Sequence, residues 1–402
     1  MKKTLAAVAV LGAFAGSALA ADVTIYGRVD TGLQVNDYET TVDGKVTAEG
    51  TDWAMKSGLS TTSRIGIKGS EQISDALTVG FILESKLLAD SGKAFDGGFD
   101  RESVLWAKTD FGTVYAGKVG SMWSDGGATN FWAGNYVAFG TGAGGDMAAG
   151  AGFMVSQGRV ANRLSYVSPE FAGFKAYAEY SFGADGEENT SGTDRPAALG
   201  LNYANGAFGA GMVVTYKNEN SIKAGTAAGF GFKDDVADKM EADPDYKPTI
   251  NDIEWKDKVG ESVVEQEDEY TINVGTSYDF GVAKVMLAGQ YYKNADAVGL
   301  LSEVGVEERE ELEGYSVTFG ADIPAWGGNW TVGLAYGDGE DKAAGANFEY
   351  EGYNAAAMYY YPLSKRTKVY AGVGYTKMEG TEDSVKTEYE STKAVMGMAH
   401  YF

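Results

Sequence analysis

Residues 61–73 read "TTSRIGIKGSEQI", and the placement of charge in this stretch separates two kinds of sheet. Arg64, Gly66 and Lys68 share one parity, while Ile65 and Ile67 share the other. Successive side chains on a strand point to opposite faces, so one face carries cations and the other branched aliphatics. A soluble sheet with one wet face gives the same alternation, so a single stretch does not say which face meets water. The decision rests on whether the rest of the chain repeats the pattern.

It does. "VTIYGRVDTGL" (23–33) sets Val23, Ile25 and Val29 against Tyr26, Arg28 and Asp30. "LTVGFILESK" (77–86) sets Val79, Phe81 and Leu83 against Gly80, Glu84 and Lys86. Sixteen such segments can be counted, the first at 23–35 and the last at 391–402. Their connections alternate between short turns, such as "SDA", "DFG" and "NGA", and long ones at 36–58, 89–98, 120–157, 184–195, 218–268, 294–312, 338–350 and 378–390. A soluble sandwich has no reason to place every long connection at one end. A transmembrane barrel does, with short periplasmic turns, long external loops and an apolar outer face.

The composition agrees. The chain has 56 Gly and 25 Tyr against 6 Pro, which suits long paired strands better than helices. Lys2 and Lys3, the apolar run "TLAAVAVLGAFAG" and Ala18-Leu19-Ala20 predict a cleaved export signal over residues 1–20, leaving a single domain over 21–402. After it, no stretch of eighteen apolar residues occurs, so a membrane crossing has to be a closed barrel, in which every backbone polar group is paired. About sixteen strands leave an aqueous bore rather than a filled interior. The formal charge of −24 excludes a phosphate-binding surface, so no nucleic-acid partner is expected. Residues 218–268 alone hold fourteen Asp/Glu against six Lys/Arg, and the other acidic runs also fall in the long connections. These external loops are candidates for weak divalent-cation binding shared with lipopolysaccharide phosphates, without the spacing of a dedicated site. No other cofactor is expected. Cysteine is absent and His400 is the one histidine, so the chain lacks the constellations of hydrolytic catalysis.

Several stretches in register resemble Gram-negative general diffusion porins, closest to the beta-proteobacterial and neisserial branch. They are "IYGRVD", "TSRIGIKGSEQISDALTVGFILES", "FGTVYAGK" (111–118), "NRLSYVSPEFAGFKAYAEYSFG" (162–183) and the ending "GMAHYF". The resemblance spans the mature chain. It implies a sixteen-stranded antiparallel transmembrane barrel of the outer membrane, a homotrimer, with the third external loop folded into the lumen. It also implies lumenal positions for Arg28, Arg64, Glu84, Arg101 and Arg159, with Arg64 in the wall opposite the loop. By parity, Lys68 and Arg163 join that wet face. The loop at 120–157 has no Lys or Arg and two acids, Asp125 and Asp146, where such porins set several carboxylates against the arginines. Its aromatics Trp123, Phe131, Trp132, Tyr136 and Phe139 are expected to pack.

The expected activity is passive diffusion of small hydrophilic solutes and ions, with a weak anion preference set at the constriction. The alternatives are a channel selective for carboxylates or sugars and, on the same barrel, a surface adhesin. Outer-membrane lipid and lipopolysaccharide are expected partners. The terminal Phe402 resembles the signal read by the barrel-assembly machinery.

Overall fold

The computed structural model describes residues 23–402 except 96, 125, 140–152, 156–157, 185–192, 219–221, 225–228, 233–252, 257–261, 265–266, 302–308 and 310. The predicted export signal lies outside the described residues. Sixteen antiparallel strands close into a barrel. They are β1 (Thr24–Val42), β2 (in two pieces, Lys45–Ser57 and Arg64–Ser74), β3 (Leu77–Leu88), β4 (Glu102–Thr109) and β5 (Gly112–Gly120). Next come β6 (Arg159–Val167), β7 (Phe174–Ser181), β8 (Arg195–Asn205), β9 (Phe208–Asn218), β10 (Glu269–Asp279) and β11 (Lys284–Ala295). The last five are β12 (Leu312–Ala325), β13 (Gly328–Asp341), β14 (Phe348–Pro362), β15 (Thr367–Glu382) and β16 (Val385–Tyr401). Closure comes from β1 pairing with β16, from Arg28↔Tyr401 to Val42↔Thr387. Phe402 and Gly27 exchange backbone hydrogen bonds at the seam (3.1 and 3.2 Å), so the last residue is part of the ladder.

The wall is uneven in height. Strands β4 to β7 run for eight or nine residues, whereas β12 to β16 run for fourteen to seventeen. A tilted membrane strand needs about 9–11 residues, so the tall side projects beyond the bilayer. This corrects three expected long connections. The stretch 36–58 is largely a paired hairpin turning at Asp43-Gly44, both at positive φ (50° and 72°) as a two-residue hairpin turn requires. The stretch 378–390 turns equally tightly at Asp383-Ser384, and 338–350 shrinks to the six residues between β13 and β14. Period-2 pairing continues through these stretches because their charged side chains still point to water. Within 218–268 two nested ladders occur, Ile222–Ala224 with Ser262–Val264 and Gly229–Phe232 with Ile253–Lys256.

The outer face is apolar through the middle of the wall: Leu105, Leu199, Ile272, Val274, Val317, Phe319 and Leu334 are all exposed. Two aromatic girdles flank this band. The lower contains Phe174, Tyr203 and Phe208, and Tyr278 with Phe280; the upper contains Tyr180 with Phe182, Tyr315 with Tyr336, and Tyr353 with Tyr375. Amphipathic rings collect where hydrocarbon meets headgroup, so the girdles mark the two membrane surfaces. His400 belongs to the lower edge, exposed, with its Nδ1 2.9 Å from Thr367 Oγ1.

Candidate functional site

The third external connection, between β5 and β6, folds into the bore. Met122, Trp123, Phe131, Trp132, Tyr136 and Val137 are buried against Tyr177, Ala198, Val213 and Ala288 of the inner wall. Trp123 and Trp132 lie 4.7 Å apart, and Phe131 is 4.5 Å from Tyr177. Further on, Phe139 reaches Ala356, Met358, Tyr370 and Val395, so the loop crosses from β5 to β14–β16. Wall glycines make room for it. A Cβ on Gly275 would lie 2.7 Å from Tyr136 Cβ, and one on Gly337 would lie 2.6 Å from Phe153 Cβ. The expected packing of the loop aromatics is what the structure has, apolar side first.

Beside the loop's first turn, β1 to β7 present a network of charge. It begins at Asp30, fully buried, whose carboxylate accepts from Ser60 N (3.1 Å), Thr61 N (2.9 Å) and Tyr370 Oη (2.5 Å). Those bonds fold the break in β2 inward and aim the Thr62 carbonyl at the wall. Arg28 and Arg64, register partners across β1 and β2, both donate from Nε to that carbonyl (3.0 and 3.3 Å). Glu84 on β3 is the hub. It accepts from Arg101 Nε at 2.7 Å and Tyr26 Oη at 3.0 Å, with an Arg64 guanidinium nitrogen at 3.4 Å.

A second group follows on β4 to β7. Glu102 accepts from Gly120 N (3.0 Å), with Arg159 and Arg163 within its electrostatic reach. Arg163 donates to Glu179 (3.1 Å), and the other Glu179 oxygen accepts from Thr129 of the loop (2.6 Å). Asn162 at positive φ (50°) and a register shift against Gly117 and Val119 put a bulge in β6 between Arg159 and Arg163.

The network is sealed. Arg64, Glu84, Arg101, Glu102, Arg163 and Glu179 are 1–6% exposed, because the loop covers them. Gly126 sits against the Arg64 guanidinium, where a side chain would collide. A charge so enclosed needs partners, since desolvation costs several kcal/mol per ion. Here the partners come from the wall strands, on Glu84, Glu102 and Glu179. Asp125 and Asp146, the two carboxylates of the loop, lie outside the described residues. Lys68 differs from the arginines: it is exposed to the bore, its Nζ 4.9 Å from the Tyr26 ring centre.

Sequence reading named Arg28, Arg64, Glu84, Arg101, Arg159 and Arg163, and the structure brings all six to one side of the wall. It passed over Asp30, Glu102, Glu179 and Thr129. Parity would have placed Glu102 and Glu179 inward, on the faces of Trp106 and Tyr177. Their role depends on loop contacts that parity does not contain.

A closed sixteen-stranded barrel with an apolar, aromatic-girdled outside and a charged bore crossed by a loop defines a channel of the outer membrane. The chain belongs to the Gram-negative porins, whose family model matches residues 6–381. It is 27% identical to an outer membrane porin protein of Bordetella pertussis, with all of both chains covered. It is also 27% identical to outer membrane porin protein 32 of Delftia acidovorans, over 94% of this chain and 90% of that one. Among solved structures, an anion-selective porin from Comamonas acidovorans superposes with a TM-score of 0.61 at 21% identity, over 95% of this chain and all of that one. The protein is therefore a non-enzymatic outer-membrane channel for passive diffusion.

Proposed function

We propose that the channel prefers anions weakly and works as a homotrimer. The observation that carries the preference is the pair of ammonium groups on Lys68 and Lys108, both exposed on the inner wall. In a narrow bore with low-dielectric walls such charges raise anion occupancy and penalise cations. Arg28, Arg64, Arg101, Arg159 and Arg163, with Glu84 and the loop acids Asp125 and Asp146, are the proposed constriction wall. The arginines there set its shape and add to its field. An anion-selective porin of the same fold, from Comamonas acidovorans, supports the sign. The trimer is supported by a porin-fold neighbour, OmpT of Vibrio cholerae, solved in a trimer form at a TM-score of 0.55.

The remaining partners follow from the outer surface. Glu313, Asp338, Glu349 and Glu351 stand beside the upper tyrosines, at the level where lipopolysaccharide phosphates and weakly held divalent cations would meet them. The exposed ring of Phe402, fixed on the closing seam, is available to the barrel-assembly machinery. Reversal potential across a planar bilayer in a KCl gradient tests the preference. Lys68→Gln combined with Lys108→Gln lowers the chloride-to-potassium permeability ratio, and an unchanged reversal potential would overturn the preference. Arg64→Ala combined with Arg159→Ala tests the added contribution of the arginine wall in the same way.

A further inference from the structure

Below the loop, on the periplasmic side of the bore, the inner wall of β1 to β5 holds a cavity of about 500 Å³. Lys68 borders it from β2, Trp106 and Lys108 from β4, and Thr113 and Tyr115 from β5, with Ala128 of the loop above them. Tyr115 and Trp106 are register partners, as are Thr113 and Lys108, so two aromatic faces and two polar heads lie side by side. The indole of Trp106 lies over Gly80, where any Cβ would collide with it. That glycine lets the ring lie against the wall and present its other face to the cavity.

The charge in this cavity is unlike that of the network above it. Lys68 has a cation–π contact with Tyr26, and among the described residues neither Lys68 nor Lys108 makes an ion pair. The carboxylate nearest Lys68 on the facing strand, Glu84, is already engaged by Arg101 and Tyr26. Two ammonium groups, semi-enclosed and without an ion-pair partner among the described residues, favour an anion. Flat faces between them favour a ring. The register separates the lysines by two strands and four residues along β3, Lys68 opposite Ile82 and Lys108 opposite Thr78. The cavity is therefore elongated, with cations towards its two ends and aromatics between.

We infer that this cavity is a subsite for aromatic carboxylates, held with the ring on Trp106 and Tyr115 and the carboxylate on Lys68 or Lys108. The subsite rests on the channel reading above and adds to it a solute class that pauses in transit. Sugars fit less well, since their hydroxyls call for paired donors and acceptors rather than uncompensated ammonium groups.

Single-channel recording with benzoate as the probe and acetate as the control tests this. Benzoate at about 10 mM lowers open-channel current about two-fold, as a site half-filled at that concentration would, while acetate at the same concentration does not. Lys68→Gln with Lys108→Gln abolishes the block and leaves the channel open in KCl. Trp106→Leu weakens block by benzoate selectively. Equal effects of benzoate and acetate, or full block retained in the double lysine variant, would overturn the subsite. Absence of any open current in KCl would instead overturn the channel reading itself, so the two failures are distinguishable.

Discussion

Glu179 shows how a charged residue in the wall of a channel comes to be buried like a core residue. Its side chain and that of Arg163 are 1% and 0% exposed, sealed between β6, β7 and the loop. One oxygen holds the guanidinium and the other holds Thr129, so a single carboxylate ties wall charge to loop position. Breaking a buried pair by removing one partner costs about 3–5 kcal/mol, because the remaining charge keeps its desolvation penalty. Glu179→Gln keeps the shape and removes the charge, so the barrel should lose heat resistance. The expected result is a lower temperature for the shift from compact to extended mobility in gel electrophoresis. An unchanged transition would show that the pair contributes nothing net.

At the scale of elements, the inward loop and the inner wall were built for each other. The high glycine content was plain in the sequence, and it fitted strands, but its positions have a second purpose. Gly211 and Gly275 sit under Tyr136, and Gly337 and Gly352 under Phe153, each at a point where a Cβ would press into the loop. Gly275→Val should therefore leave the strands paired and unseat Tyr136. Single-channel recordings are expected to show a larger and noisier open current than in the unmodified protein. A conductance identical in size and noise would mean that the loop finds the same seat without that space. That the loop aromatics pack was expected, but which wall glycines seat them was not legible beforehand, since contacts between 120–157 and β8 to β16 join residues far apart in sequence. The hairpin extensions were misjudged for a related reason: composition reports solvation, and a solvated strand above the membrane looks like a loop.

For the molecule as a whole, the governing constraint is the solvent on each side of the wall. Val274 on β10 is 52% exposed and points to hydrocarbon, while its neighbour Asn273 is fully buried, its side-chain amide donating to Val213 O and accepting from Gln290. An arginine at the bilayer midplane of such a face costs about 2–4 kcal/mol. Val274→Arg should lower the free energy of unfolding in lipid vesicles by about that amount, read from urea titration. The same change would be nearly neutral if that face met water, so a null result would contradict the placement of the membrane band.

The opening stretch illustrates the division between sequence and tertiary structure. Alternation around Arg64, repeated sixteen times with short turns at one end, was enough to determine a barrel, its wet and dry faces and its membrane, because period-2 side-chain direction is a local property of the chain. What surrounds Arg64 was not local. Its carbonyl partner is set by a break in β2 that Asp30 holds, its carboxylate by Glu84 on the next strand, and its dryness by Gly126 of a loop that returns from β5. A charge exposed in the bore and one sealed beneath a loop share the same parity, and only the fold, by deciding where water is excluded, tells Lys68 from Arg64.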